Sequence, residues 1–119
     1  MLIHRYGSSY EECLKEIKHE DVDFIQTFRL KYDITIDGLH LSFVHGDLDN
    51  PLEGRIYPDS EIGCHQKYDH IDYVFLGHTH HKMLRALDMG TVLINPGSIG
   101  QQRDGKGCSY VLFDTITKH

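Results

Sequence analysis

The stretch YVFLGHTHH, residues 73–81, runs four apolar residues straight into a glycine and then sets three histidines within four positions. A short apolar run bounded by a turn signal reads as a buried strand, here over residues 73–76. Buried strands seldom end in imidazoles unless the imidazoles face something. His78 and His80 stand at i and i+2, which in extended backbone puts both rings on one side of the chain. Gly77 before them permits a sharp bend or a close approach of backbone. His81 points to the opposite face and is expected in solvent.

Working outward, a second strand ends in the same way. Residues 28–36 alternate Phe28, Leu30, Tyr32, Ile34 and Ile36 with polar residues, the pattern of a half-buried strand. Asp37-Gly38 follows, a favoured pair for a two-residue hairpin turn because both central residues need φ > 0. Leu39, Leu41 and Phe43 resume the alternation, and the strand runs out at Val44-His45-Gly46. Three histidines at the ends of apolar strands suit Zn²⁺, Mn²⁺ or Fe, because imidazole is a borderline ligand.

The remaining segments frame these two. Ser8 and Ser9 followed by Glu11 and Glu12 offer overlapping capping boxes, and Tyr10, Cys13, Leu14 and Ile17 make an apolar stripe at helical spacing. Asp21 can cap a second short helix with Val22, Ile25 and Phe28 inside. Residues 47–67 read as a long loop with a short helix near 60–67, and connections of that length are often functional. Residues 83–87 and 91–94 make another hairpin across Asp88-Met89-Gly90. Asn95-Pro96-Gly97-Ser98 carries turn chemistry, and residues 109–114 read as a last strand.

A chain of 119 residues suits one domain over 1–119, with neither an internal repeat nor a linker. Its formal charge of −6 leaves no basic stripe to displace counterions from phosphates, which argues against a nonspecific grip on nucleic acid. A bound metal can still reverse the local sign for a small phosphate substrate. Cys13, Cys64 and Cys108 are odd in number and far apart, so reduced, buried thiols and a cytoplasmic location are expected. No apolar run approaches the ~18 to 20 residues that cross a bilayer, so no membrane partner is expected.

The segments FVHG, YVFLGHTH and LINPGSIGQQRDG together resemble the last motifs of the calcineurin-like metallophosphoesterase superfamily, more narrowly its small bacterial and archaeal phosphodiesterase-like branch. DNPLEGRIYPD and the closing CSYVLFD suit that branch too. The resemblance implies the later half of an α-β-β-α sandwich: α/β, two N-terminal helices and then mostly antiparallel strands. It implies phosphoester hydrolysis through two divalent ions (Mn, Fe, Zn or Ni) bridged by a carboxylate and a hydroxide. It places His45 and His78 on one metal and His80 on the other. The superfamily's opening motifs, Asp-x-His, Gly-Asp and Gly-Asn-His, have no counterpart here, so an N-terminally incomplete domain is expected.

HGDLDN, residues 45–50, could be mistaken for the second of those motifs. Because no Gly-Asn follows it, Asp47 and Asp49 are read as loop residues beside the site, with a substitute role left open for Asp47. Asn95 is expected to shape a turn that supports the histidines. Arg103 could reach a substrate phosphate through a charge-assisted contact or simply be solvated, and Arg55 has the same two readings. Two other functions compete with hydrolysis. One is a noncatalytic metal-binding or interaction module whose uncovered sheet face takes a second copy or a complementing chain. The other is a single zinc held by His45, His78 and His80.

Overall fold

The computed structural model describes residues 8–63 and 66–118. Two helices open the chain, α1 (Ser9–Glu16) and α2 (His19–Gln26). Ser8 stands at the first N-cap with helical backbone and makes no side-chain cap bond. Glu11 and Glu12 still sit in the first turn, where their charge opposes the helix dipole. Asp21 caps α2 from its third position rather than from its start, accepting the Lys18 N–H at 2.9 Å.

Neither helix buries a residue. The stripes expected to face a core, Leu14, Ile25 and Phe28 among them, lie open, and Cys13 is an exposed free thiol rather than a buried one. Among the described residues, neither helix docks on the sheet. Phe24 and Phe28 pack edge to face on each other instead, with ring centroids 5.1 Å apart. The amphipathic pattern is present, but the layer that would receive it is not among these elements.

Five strands follow: β1 (Lys31–Ile36), β2 (Leu39–Val44), β3 (Tyr73–Phe75), β4 (Met83–Ala86) and β5 (Val92–Asn95). The first hairpin closes as read, with Ile36 opposite Leu39 and positive φ at both Asp37 (50°) and Gly38 (78°). The second hairpin, β4 to β5, is also antiparallel. Between them, β2, β3 and β5 run parallel, giving one mixed sheet in the order β1-β2-β3-β5-β4. The antiparallel pairs are thus the two hairpins, while the centre of the sheet is parallel. Long crossovers permit this, and local turn signals cannot announce it.

Two faces result. On one, Val44, Val74, Leu76, Met83 and Leu93 pack under the long loop, which contributes Ile56 and Tyr68; this is the buried core. The expected helix near residues 60–67 is only a 3₁₀ turn, Gln66–Tyr68, and Cys64 lies outside the described residues. On the other face, residues of the opposite parity along each strand line up: Leu41, Phe43, Tyr73, Phe75 and Ile94. Phe43 and Phe75 stack there at 4.7 Å, and Phe113 covers Tyr73 and Phe75 at 4.6 and 5.6 Å. Residues 109–114, expected as a strand, form none. They lie across this apolar face, with Phe113 turned in and Leu112 left 82% exposed, rather than pairing with a sheet edge. β1 is an edge strand; of its alternating apolar residues Ile34 is half-buried as expected, while Tyr32 and Ile36 are exposed.

Candidate functional site

Three parallel strands ending level put their carboxyl ends at one edge of the sheet, where open α/β sheets usually bind ligands. β2 delivers His45, β3 delivers the loop from Gly77 to His81, and β5 ends on Asn95. His45 and His78 meet there, their rings stacked at 4.7 Å between centroids and tilted by 24°. The backbone joins them as well: the Gly77 N–H donates to the His45 carbonyl at 2.9 Å. A β-carbon at Gly77 would stand 3.3 Å from that carbonyl, tighter than an ordinary contact, so glycine is what lets the two segments touch.

The histidine loop is not extended. His78 and His80 both take positive φ, 61° and 59°, and the Thr79 N–H closes a tight turn on the Gly77 carbonyl at 2.7 Å. The alternation argument for their shared side therefore does not hold; the rings are aimed by left-handed backbone, which is uncommon outside glycine. Such strain persists only where neighbours enforce it. Asn95 is the enforcer. Its buried amide donates to the Gly77 carbonyl (2.9 Å) and to Thr79 Oγ1 (3.0 Å), while its Oδ1 accepts the Gly97 N–H (2.9 Å).

Two backbone carbonyls orient the rings. His78 Nδ1 donates to the Gly54 carbonyl at 3.0 Å and His80 Nδ1 to the Gln101 carbonyl at 2.6 Å. A carbonyl can only accept, so each Nδ1 carries a proton, and in the neutral ring that leaves the lone pair on Nε2. Gln101 is itself placed by its N–H bond to Ser98 Oγ at 3.0 Å. Neither Gly54 nor Gln101 was identifiable from sequence, because a main-chain carbonyl leaves no residue signature. His81 departs from its expected solvent position: half-buried, it packs edge-on against Tyr57 at 5.1 Å and bonds its own loop at the Thr79 carbonyl.

Electrostatics separate the histidines from the loop acids. Burial pushes the His45 imidazole below its ordinary pKa; the neighbouring His78 and His80 add to this, and Glu53 opposes it. Asp47 does not face the imidazoles as a free carboxylate. Lys67 Nζ bonds both its oxygens, at 3.0 and 2.8 Å, and also holds Asp49 Oδ2 at 2.7 Å. Burial works to lower the Lys67 pKa, but the two carboxylates outweigh it and raise the ammonium well above the usual lysine range. Exposed Arg103 touches Gln101 Oε1 at 3.3 Å, and its N–H lies 3.4 Å from the His80 carbonyl, so it borders the site. Arg55 donates to the Glu53 carbonyl at 3.2 Å.

Whether these residues fit a metal has a two-part answer. Among the described residues, no three His, Cys, Asp or Glu side chains gather closely enough to hold an ion together. The single zinc caged by all three histidines is therefore not what this placement supports. The individual donors do fit: an imidazole whose Nδ1–H is tied to a carbonyl is the usual form of a ligating histidine. By donor chemistry, His45, His78 and His80 would offer imidazole nitrogens to a divalent ion.

Comparison with known proteins agrees with this fold. The sequence profile of the calcineurin-like phosphoesterase superfamily domain matches residues 4–118. An uncharacterized protein of Methanocaldococcus jannaschii is 30% identical over 116 residues, covering 84% of this chain and 46% of that protein. In fold, the chain is similar to a metallophosphoesterase from Sphaerobacter thermophilus (TM-score 0.67, 21% identity, 98% of this chain and 55% of that one). It is equally similar to a hypothetical protein of Pyrococcus horikoshii OT3 (TM-score 0.67, 21% identity, 88% and 43%). The chain spans about half the length of these relatives. Matched by the family profile along nearly all its length, this chain belongs to the calcineurin-like phosphoesterase superfamily.

Proposed function

We propose that this chain contributes the histidine side of a divalent-metal phosphoesterase centre acting on small phosphoester substrates. The observation that carries the reading is the pairing of two carbonyl-fixed imidazoles, His78 and His80, with His45 at one strand edge of a phosphoesterase-family sheet. In this reading His45 and His78 serve one ion and His80 another, and Asn95 keeps the loop in its left-handed form. Bound divalent cations supply Lewis acidity toward a phosphoryl group and acidify water. Arg103, whose backbone N–H borders the His80 carbonyl, would in this reading exchange its guanidinium contact to Gln101 for a phosphate oxygen. Manganese is the ion to try first, and a cytoplasmic location follows from the expected reduced thiols.

The missing carboxylates come, in this proposal, from polypeptide lying on the open sheet face, whether of the same protein or of another. A groove of about 810 Å³ lined by Ile25, Phe28, Tyr32, Phe43 and Phe75 extends to His45 and Gly77. Polypeptide seated there would border the imidazoles directly. The same exposed face supports the second reading, a noncatalytic interaction module.

Calorimetry with Mn²⁺ and Zn²⁺, followed by hydrolysis of bis(p-nitrophenyl) phosphate and p-nitrophenyl phosphate, separates the two. Metal binding lost in His78→Ala, with turnover dependent on added ion or on a complementing polypeptide, supports the hydrolase. A chain that binds neither ion at millimolar concentration would sink it.

A further inference from the structure

We infer that Lys67, whose hydrogen bonds among the described residues go to Asp47 and Asp49, is a positioning residue that sets the ring orientation of His78 through Asp47 and Gly54. The inference rests on His78 being a ligand, as proposed above, for its consequence but not for its geometry. Each link is short. Lys67 sits on the 3₁₀ turn beside Tyr68, which is fully buried in the core, so the ammonium is carried by a fixed support. It grips both oxygens of Asp47 at 2.8 and 3.0 Å, with only 17% of its side chain exposed. Tyr68 touches the same carboxylate, its hydroxyl donating to Asp47 Oδ1 at 3.4 Å.

Asp47 in turn abuts Gly54. A β-carbon built on Gly54 would fall 2.6 Å from the Asp47 β-carbon and 2.6 Å from the Asn50 carbonyl, so the two backbones already touch. The loop is closed on itself by three main-chain bonds: Gly46 N–H to Pro51, Asp47 N–H to Asn50, and Gly54 N–H to Asn50. It cannot absorb a shift of Asp47 by flexing, because close-packed segments transmit displacement. The Gly54 carbonyl at its end accepts the proton of His78 Nδ1. Fixing that proton on Nδ1 leaves the Nε2 lone pair outward, the state a cation requires. Asp49 shares the ammonium but is largely exposed and makes no such link, so it serves Lys67 and not the ring.

The test is long-range ¹H–¹⁵N correlation on the metal-free chain labelled with ¹⁵N-histidine, at mildly alkaline pH. Wild type is expected to show His78 with a protonated Nδ1 and a bare Nε2. In Lys67→Met the two nitrogens should move toward each other as the tautomers mix, and Lys67→Arg should restore the wild-type pattern. Mn²⁺ affinity should fall roughly ten-fold in Lys67→Met, the usual cost of losing a group that orients a ligand. Should Lys67→Met not fold, Asp47→Asn decides, since it weakens the same grip while keeping the shape. A folded Lys67→Met or Asp47→Asn with an unchanged His78 tautomer overturns the inference, as does a wild-type His78 protonated on Nε2. A tautomer change in a chain that binds no metal would leave this inference standing and remove the metal reading instead.

Discussion

His45 and His78, thirty-three positions apart in sequence, lie ring on ring with centroids 4.7 Å apart at the carboxyl ends of two adjacent parallel strands. Two stacked imidazoles that both bore a positive charge would repel, and burial with this proximity already holds His45 toward its neutral form. Neutral rings are metal donors. Calorimetric titration with Mn²⁺ should therefore lose affinity by at least ten-fold in His45→Ala and His78→Ala. His81→Ala, whose ring packs on Tyr57, should bind as wild type does. Equal loss in all three would place the donors elsewhere.

Asn95 is buried and holds two partners in the histidine loop, the Gly77 carbonyl and Thr79 Oγ1, and a third, the Gly97 N–H, in the turn that follows its own strand. Asn95→Ala leaves the Gly77 carbonyl, Thr79 Oγ1 and Gly97 N–H to find others, at roughly 2–3 kcal/mol of stability. Urea unfolding should show that loss together with exchange broadening at His78 and His80. A variant as stable as wild type would mean that the left-handed turn needs no clamp.

Glycine positions grade by what a methyl group would meet. At Gly38 and Gly90 the added carbon finds open space, and only the positive φ of 78° and 100° resists it. Gly38→Ala should cost about 1 kcal/mol. At Gly54 the carbon collides with Asn50 and Asp47 backbone and side chain at 2.6 Å, which no small rearrangement relieves. Gly54→Ala should lose more stability than Gly38→Ala and also shift the His78 resonances, which Gly38→Ala should leave in place.

Tyr68 provides a pH test. Burial, with help from the Asp47 carboxylate, pushes its phenol up to about 12, against an ordinary value near 10. The unfolded chain then releases this proton first, so folded stability is complete below about pH 10 and declines as pH rises toward 12. Absorbance at the phenolate band should show Tyr68 titrating late. Tyr68→Phe should remove that late step and flatten the alkaline loss. Simultaneous titration of every tyrosine in the folded chain would contradict the placement.

The sequence alone determined the parts whose causes are local. Asp37-Gly38 dictated the first hairpin because few other pairs accept positive φ twice, and the turn at residues 88–90 dictated the second. The apolar run at residues 73–76 and the family motifs located His45, His78 and His80 at strand ends. What it could not supply was whatever depends on distant chain. The parallel pairing of β2, β3 and β5, which gathers those strand ends at one edge, arises from crossovers and leaves no local mark. Alternation predicted burial for α1, α2 and β1, but burial needs a covering layer, and these elements, half-buried Ile34 of β1 aside, have none among the described residues. Residues 109–114 alternate like a strand, yet Phe113 packs on Tyr73 and Phe75 of the apolar face, an aromatic contact that only the fold brings together. The carbonyls of Gly54 and Gln101 fix the imidazole tautomers, and every residue has a carbonyl, so only the tertiary structure could say which ones matter. Residue identity chose the imidazoles; folding chose their orientation, because a hydrogen bond depends on position as well as chemistry.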